Sequence, residues 1–154
     1  MSFLNLIWFI PLFPAAGALL NGVLGKKLPK KSVDIIGCGL VGLAFLFSLA
    51  AVFQLSSLPS DERMIRVNLF EWINAGLGEL HNGALSPFSV PWGFQLDPLS
   101  AVMILVVTGI GFIIHIYSTG YMAHEGGYYR FFSYLNLFMF SMLTLVLANN
   151  FVLM

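Results

Sequence analysis

Four apolar runs, each long enough to cross a bilayer, dominate this sequence: residues 3–24, 33–55, 98–122 and 131–154. About 20 apolar residues span the ~30 Å hydrocarbon core as a helix. Hydrocarbon offers no partner to a backbone N–H or C=O, so each run is expected to close its hydrogen bonds internally as an α-helix. Composition points the same way: 58% of residues are hydrophobic and 9% charged, against about 25% charged in a soluble domain. The expected fold class is all-α, with four transmembrane helices. Seven basic and seven acidic side chains cancel, which gives no reason to expect a nucleic-acid partner. The lipid bilayer is the partner that composition implies. A single cysteine, Cys38, rules out a disulfide or CxxC metal framework within the chain.

The N-terminal run lacks the basic segment that opens a secretory signal and is too long for a signal's apolar region, so it reads as a retained first span. Pro11 and Pro14 are expected to kink it. In the second run Gly37, Gly39 and Gly42 permit close helix approach. Lys26, Lys27, Lys30 and Lys31 crowd the first connection, which the positive-inside rule assigns to the cytoplasm. The N-terminus and the long connection 56–96 are then extracytoplasmic, and the YMAHEGGYYR turn returns inside. Three segments result: 1–55 with two helices and the basic loop, 56–96 outside, and 97–154 with the third and fourth helices. Within the outer segment, Ile65, Val67 and Leu69 alternate with polar residues, as do Phe88, Val90, Trp92, Phe94 and Leu96. Two period-2 runs predict a short β-hairpin, with Pro91 confining its strand to an edge or a bulge.

The third run holds the ionisable group that most needs explaining, His115 in GFIIHIYSTGYM. At about 100° per residue, Ala101, Thr108, Gly111, Ser118 and Thr119 share its face, while Val102, Val106, Ile110, Ile113 and Tyr117 lie opposite. His115 is therefore expected to face protein or water, roughly 7.5 Å to the cytoplasmic side of the bilayer centre. An unperturbed pKa of about 6.5 suits a proton relay, and intramembrane ionisable residues commonly mark function. A neutral ring hydrogen-bonded to Thr108, the Gly111 backbone or a neighbouring helix is the structural alternative. Asp97 returns to the same azimuth five turns earlier, but FQLDPLS reads as an N-cap followed by proline at the first helical position. Arg130 and His124 read as interfacial anchors. Asn136, Asn149 and Asn150 need partners in lipid, and interhelical hydrogen bonds are the ordinary answer. No nucleophile triad, phosphate loop or zinc motif is present. The residues support holding or passing a small ion, and no redox chemistry.

LDPLSAVM, VTGIGFIIHIYSTGYM and YRFFSYLNLFMFSMLTLVLANN, falling within about 60 consecutive positions, strongly resemble the subunit L type (mitochondrial chain 5 type) of proton-translocating NADH:quinone oxidoreductase, respiratory complex I. The resemblance implies the start of an antiporter-like fold, in which three helices precede two inverted five-helix repeats and the fourth span opens the first repeat. The family's glutamate in a GWE-type motif and its later lysines are absent from these 154 residues, so the chain is expected to be an N-terminal piece of a longer protein. Motif positions carried over are Asp97, His115, Tyr121, Arg130, Asn136 and Asn149, with Thr108 and Ser118 as supporting polar positions and His115 as the proton-path candidate. No catalytic residue, metal site or cofactor is expected in this chain. NADH, FMN, iron-sulfur clusters and quinone would bind other subunits of the complex, and antiporter-like membrane-arm subunits would be the partners, in a bacterial inner membrane. The alternatives are a subunit of a multisubunit sodium/proton antiporter, or a transport-inactive membrane scaffold.

Overall fold

A computed structural model describes residues 6–59, 63–79 and 85–154. Four helices, α1 (Phe9–Leu24), α2 (Lys30–Ser56), α3 (Pro98–Tyr121) and α4 (Tyr128–Leu147), enclose one another, and strands β1 (Ile65–Glu79) and β2 (Leu85–Leu96) lie between α2 and α3 in the chain. Local sequence sets most of these limits. Pro29 holds extended backbone before α2, Asp97 and Pro98 open α3, and Gly127, at φ +81°, opens α4 from the left-handed region. α4 stops at Leu147 because Ala148 turns to extended backbone and bridges Phe94 of β2.

Three of the helices, α2, α3 and α4, are long and apolar enough to cross a membrane, while α1 has 16 residues. The expectation of four full spans is met for three, because α1 starts at Phe9 and residues 3–5 lie outside the described part. The last apolar run is also shorter than expected: its final residues form a turn beneath the hairpin and no helix. Pro11 falls in the first turn of α1, where its missing N–H has no helical acceptor to lose; Pro14 lies inside the helix.

The helices are arranged in order around the bundle. α1 touches α2 and α4, α2 touches α3, α2 and α4 meet across the middle, and the α3 to α4 side is the most lightly packed of the four edges. Small residues allow the closest approaches. A Cβ on Gly17 would stand 2.5 Å from Asn136 Oδ1, and one on Gly37 would stand 2.8 Å from Phe132 Cδ1 and 3.2 Å from Asn21 Nδ2. Gly42 meets Phe112, but Gly39 faces open space. Two of the three α2 glycines therefore serve close packing. Ser133 Oγ adds an interhelical hydrogen bond to the Ala18 carbonyl at 2.8 Å.

The apolar core has two parts. The larger, including Ile7, Ile10, Leu55, Leu96, Ile104, Leu143 and Leu147, lies beneath the hairpin; the smaller, Val33, Tyr128 and Phe132, lies near the basic loop. The outward faces carry exposed residues such as Val23, Ile35, Phe53, Val102 and Ile113, as lipid contact demands.

β1 and β2 pair antiparallel, from Ile65 opposite Leu96 to Glu79 opposite Leu85. The hairpin is longer than the alternating runs suggested. Ladder irregularities occur at three places, one of them beside the Glu71 to Pro91 pair, consistent with a proline that cannot donate to a regular ladder. Val90, Phe94 and Leu96 are buried, so the alternation marks the bundle-facing side of β2 from Val90 onward; in β1 Ile65 and Val67 are half-buried but Leu69 is exposed, and the Phe88 side chain lies outside the described part.

Exchanging Gly17 or Gly37 for alanine is expected to lower stability by about 1–3 kcal/mol through overpacking. Gly39→Ala is expected to be neutral or slightly stabilising, because the space there is open and alanine is the better helix former. Thermal unfolding of the detergent-solubilised protein measures both. Equal losses at Gly37 and Gly39 would exclude the packing role.

Candidate functional site

The face of α3 that points inward is the one the helical wheel selects. Ala101, Ile104, Thr108, Gly111, His115 and Ser118 are buried, whereas Val102, Val106, Ile110, Ile113 and Tyr117 are exposed. His115 itself is 0% exposed. Its Nδ1 lies 2.7 Å from the Gly111 carbonyl oxygen. A carbonyl only accepts, so Nδ1 carries the hydrogen, and in the neutral ring Nε2 is a bare acceptor. That Nε2 is buried and has no partner among the described residues.

The polar neighbours on this face do not form a chain. Thr108 Oγ1 donates to the Ile104 carbonyl at 2.5 Å and Ser118 Oγ to the Ile114 carbonyl at 2.8 Å, each closing on its own helix one turn back. His115 packs instead against Phe132, with ring centroids 6.2 Å apart. Tyr121 points away from the bundle and stacks on Tyr117 at 6.0 Å. Arg130, at the start of α4, lies over the Tyr129 ring and donates to its hydroxyl at 3.1 Å.

Asn136 belongs to a buried amide layer one helix further in. Its Nδ2 donates to the Phe132 carbonyl at 2.9 Å, and Asn21 Nδ2 donates to the Val33 carbonyl at 3.4 Å. Both amide nitrogens lie within 3.4 Å of the position a Gly37 Cβ would take, and both Oδ1 atoms lack a hydrogen-bond partner among the described residues. Asn136 is thus only partly explained by interhelical contact, since its one hydrogen bond stays within α4. Asn149 and Asn150 depart from the interhelical expectation altogether. Asn149 Nδ2 donates to Asn68 Oδ1 at 2.7 Å, its N–H to the Gly93 carbonyl at 3.3 Å, and Asn150 Nδ2 to the Pro91 carbonyl at 2.7 Å. They fasten the end of α4 to both strands of the hairpin.

Asp97 takes the capping role. Ser100 N–H donates to its Oδ1 at 2.7 Å, the Asp97 N–H donates to Ser100 Oγ at 3.3 Å, and Ser100 Oγ also bonds the carboxylate. Desolvation alone would raise the Asp97 pKa, but hydrogen bonds from Ser100, its own backbone and Gln95 together outweigh it and hold the carboxyl below its ordinary value.

Sequence reading overlooked two features. Asn21 interrupts the apolar run LLNGVL, and an amide in lipid was the available signal. Tyr128 Oη donates to Asp34 of α2, and Lys30 Nζ donates to the Ala123 carbonyl at 2.6 Å while lying over the Tyr128 ring. These contacts bring the basic loop and the α3 to α4 turn to one end of the bundle, opposite the hairpin. No local pattern pairs residues 94 positions apart. No cluster of three metal-ligating side chains occurs among the described residues.

Residues 84–132 match the family described as NADH-Ubiquinone oxidoreductase (complex I), chain 5 N-terminus. NADH-quinone oxidoreductase subunit L of Rickettsia conorii is 36% identical over 151 residues, 98% of this chain and 21% of the relative. The Pseudomonas aeruginosa subunit L is 38% identical over 147 residues, 96% of this chain and 22% of the relative. NADH-ubiquinone oxidoreductase chain 5 of Podospora anserina is 35% identical over 147 residues, 94% of this chain and 20% of the relative. The chain is similar to subunit L and chain 5 proteins along nearly its whole length. It spans about a fifth of the length of these relatives. Most of the LDPLSAVM to YRFFSYLNLF stretch lies inside the matched residues. In this chain the polar motif residues divide between capping (Asp97), hairpin attachment (Asn149) and the buried interior (His115, Asn136).

Asp97→Ala should destabilise the start of α3 by about 0.5–2 kcal/mol. A lowered folded-state pKa means that the cap's stabilisation is present above the unfolded carboxylate value of about 3.9 and is lost as pH falls through the folded value. Amide exchange in the first turn of α3 should therefore accelerate under acid in the parent chain and show no such carboxylate step in the variant. A step of the same size in both would remove Asp97 as its source.

Proposed function

We propose that this chain forms the opening part of a proton-translocating membrane subunit of NADH:quinone oxidoreductase. The subunit couples electron transfer from NADH to quinone, in other subunits, to proton movement across the membrane. The match to relatives named subunit L along nearly the whole chain carries this reading. The same names favour an oxidoreductase subunit over a sodium/proton antiporter. NADH, FMN, iron-sulfur clusters and quinone belong to the partner subunits, and this chain contributes no redox group. Its neighbours are other antiporter-like subunits of the membrane arm.

The protein is a multi-pass protein of a bacterial inner membrane. α1 provides a fourth span, the Lys26 to Lys31 loop faces the cytoplasm, and the hairpin lies outside. Attachment of Lys30 to Ala123 supports one shared side for the two short connections. In the N-terminal helices His115 is the residue suited to exchange a proton, because Nδ1 is held by Gly111 and the other nitrogen is left as a base. Thr108 and Ser118 shape its surroundings.

Proton pumping by the reconstituted complex carrying full-length subunit with His115→Ala tests the role. A lower proton-to-electron ratio at preserved NADH oxidation is expected. An unchanged ratio in a normally assembled complex would take His115 out of the proton path while leaving subunit membership intact.

A further inference from the structure

The lightly packed edge between α3 and α4 opens into an apolar groove of about 220 Å³, lined on one side by Ile110 and Ile114 and on the other by Phe138, Met139 and Met142, with His115 at its floor. Ile110, Ile114 and Phe138 are each roughly half exposed, at 55%, 46% and 60%. At the floor is His115 Nε2, buried and without a hydrogen-bond partner among the described residues. We infer that this groove is the seat of a further transmembrane helix of the same polypeptide, one that presents a hydrogen-bond donor to His115 Nε2. The inference rests on the chain being part of a longer membrane subunit.

Several observations select that occupant. Because Nδ1 carries the hydrogen, Nε2 requires a donor, which a lipid acyl chain lacks. Water needs two to four polar partners, and the walls of the groove are apolar around this single nitrogen. A helix side chain bearing a hydroxyl, amide, indole N–H or ammonium supplies the donor while its apolar neighbours fill the groove. Flexible methionines suit a surface that must adapt to an incoming helix. About four-fifths of the length of the relatives lies beyond the region matched here, and a tethered segment has a high effective concentration at the groove compared with a separate subunit.

The test places a photoreactive benzophenone amino acid at position 138 of the full-length subunit in the assembled complex. Native membranes are irradiated and the adduct is identified by mass spectrometry. The expected adduct is a peptide of the same polypeptide, with a donor side chain within one helical turn of the attachment point. An adduct on a phospholipid or on another subunit, or on a peptide without such a donor, overturns the inference. In the same background His115→Gln, which keeps an acceptor near the Nε2 position, should retain the adduct yield. His115→Leu should lower it about threefold, the size of a typical interhelical hydrogen bond. Equal yields with Gln and Leu would overturn the donor assignment, and the adduct from the unsubstituted His115 protein identifies the occupant even where the leucine variant does not assemble. Because the readout is independent of proton flux, its failure is distinct from failure of the pump reading.

Discussion

The bundle depends on a close crossing in which Gly17 of α1 and Gly37 of α2 leave room for Asn136 of α4 and Asn21 of α1. Apolar burial alone discriminates poorly among helices in lipid, since acyl chains solvate leucine as well as another helix does. Shape and polar satisfaction decide the arrangement. Two fully buried amides whose nitrogens meet around one glycine permit little sliding, because any shift moves an amide against a Cβ or into hydrocarbon. With α1, α2 and α4 fixed there, α3 attaches mainly along α2, and its other edge stays open.

The two ends of the bundle are closed by different means. At the basic end, side chains span the gap: Lys30 reaches the Ala123 carbonyl and Tyr128 reaches Asp34. At the hairpin end, backbone pairing does the work, with Ala148 bridging Phe94 and the two asparagines bonding the strands. Leu96 and Leu147, both 0% exposed, complete the join by packing into one core. The hairpin therefore functions as a fifth packed element, which holds the entrance of α3 and the exit of α4 together.

Much of this architecture was legible in residue order because hydrophobic length and helical periodicity are local properties. α3 is the clearest case: its buried and exposed faces follow from 100° spacing, and Asp97 and Pro98 mark its start. The end of α4 was not legible, since ANNFVLM is apolar enough to extend a helix and turns away only because β2 offers Ala148 and Asn149 better partners. The same holds for the amide layer. Asn136 announces itself as a polar residue in lipid, but its relation to Asn21 and Gly37 depends on three helices meeting, which periodicity does not encode. Of the polar stripe on α3, facing was predictable and connection was not. Thr108, His115 and Ser118 share a side, yet each bonds a carbonyl one turn back on its own helix, the nearest acceptor available to it.

That local closure explains why His115 differs from its neighbours. A threonine or serine hydroxyl has one hydrogen, and once it is given to the helix the group has only lone pairs on a small atom beside the backbone. An imidazole has two separated nitrogens, so anchoring Nδ1 to Gly111 fixes the ring while leaving Nε2 displaced toward α4 and the groove. Gly111 contributes twice: its carbonyl holds the ring, and its missing side chain leaves room for Met139, whose Sδ and Cε a Cβ there would meet at 2.5 Å. A larger residue at 111 would push α4 away and alter the depth at which the free nitrogen lies. The combination of an anchored ring, an unclaimed base and a neighbouring open edge arises from α3 and α4 together, and it gives this part of the bundle a directional polar group facing the side where packing is incomplete.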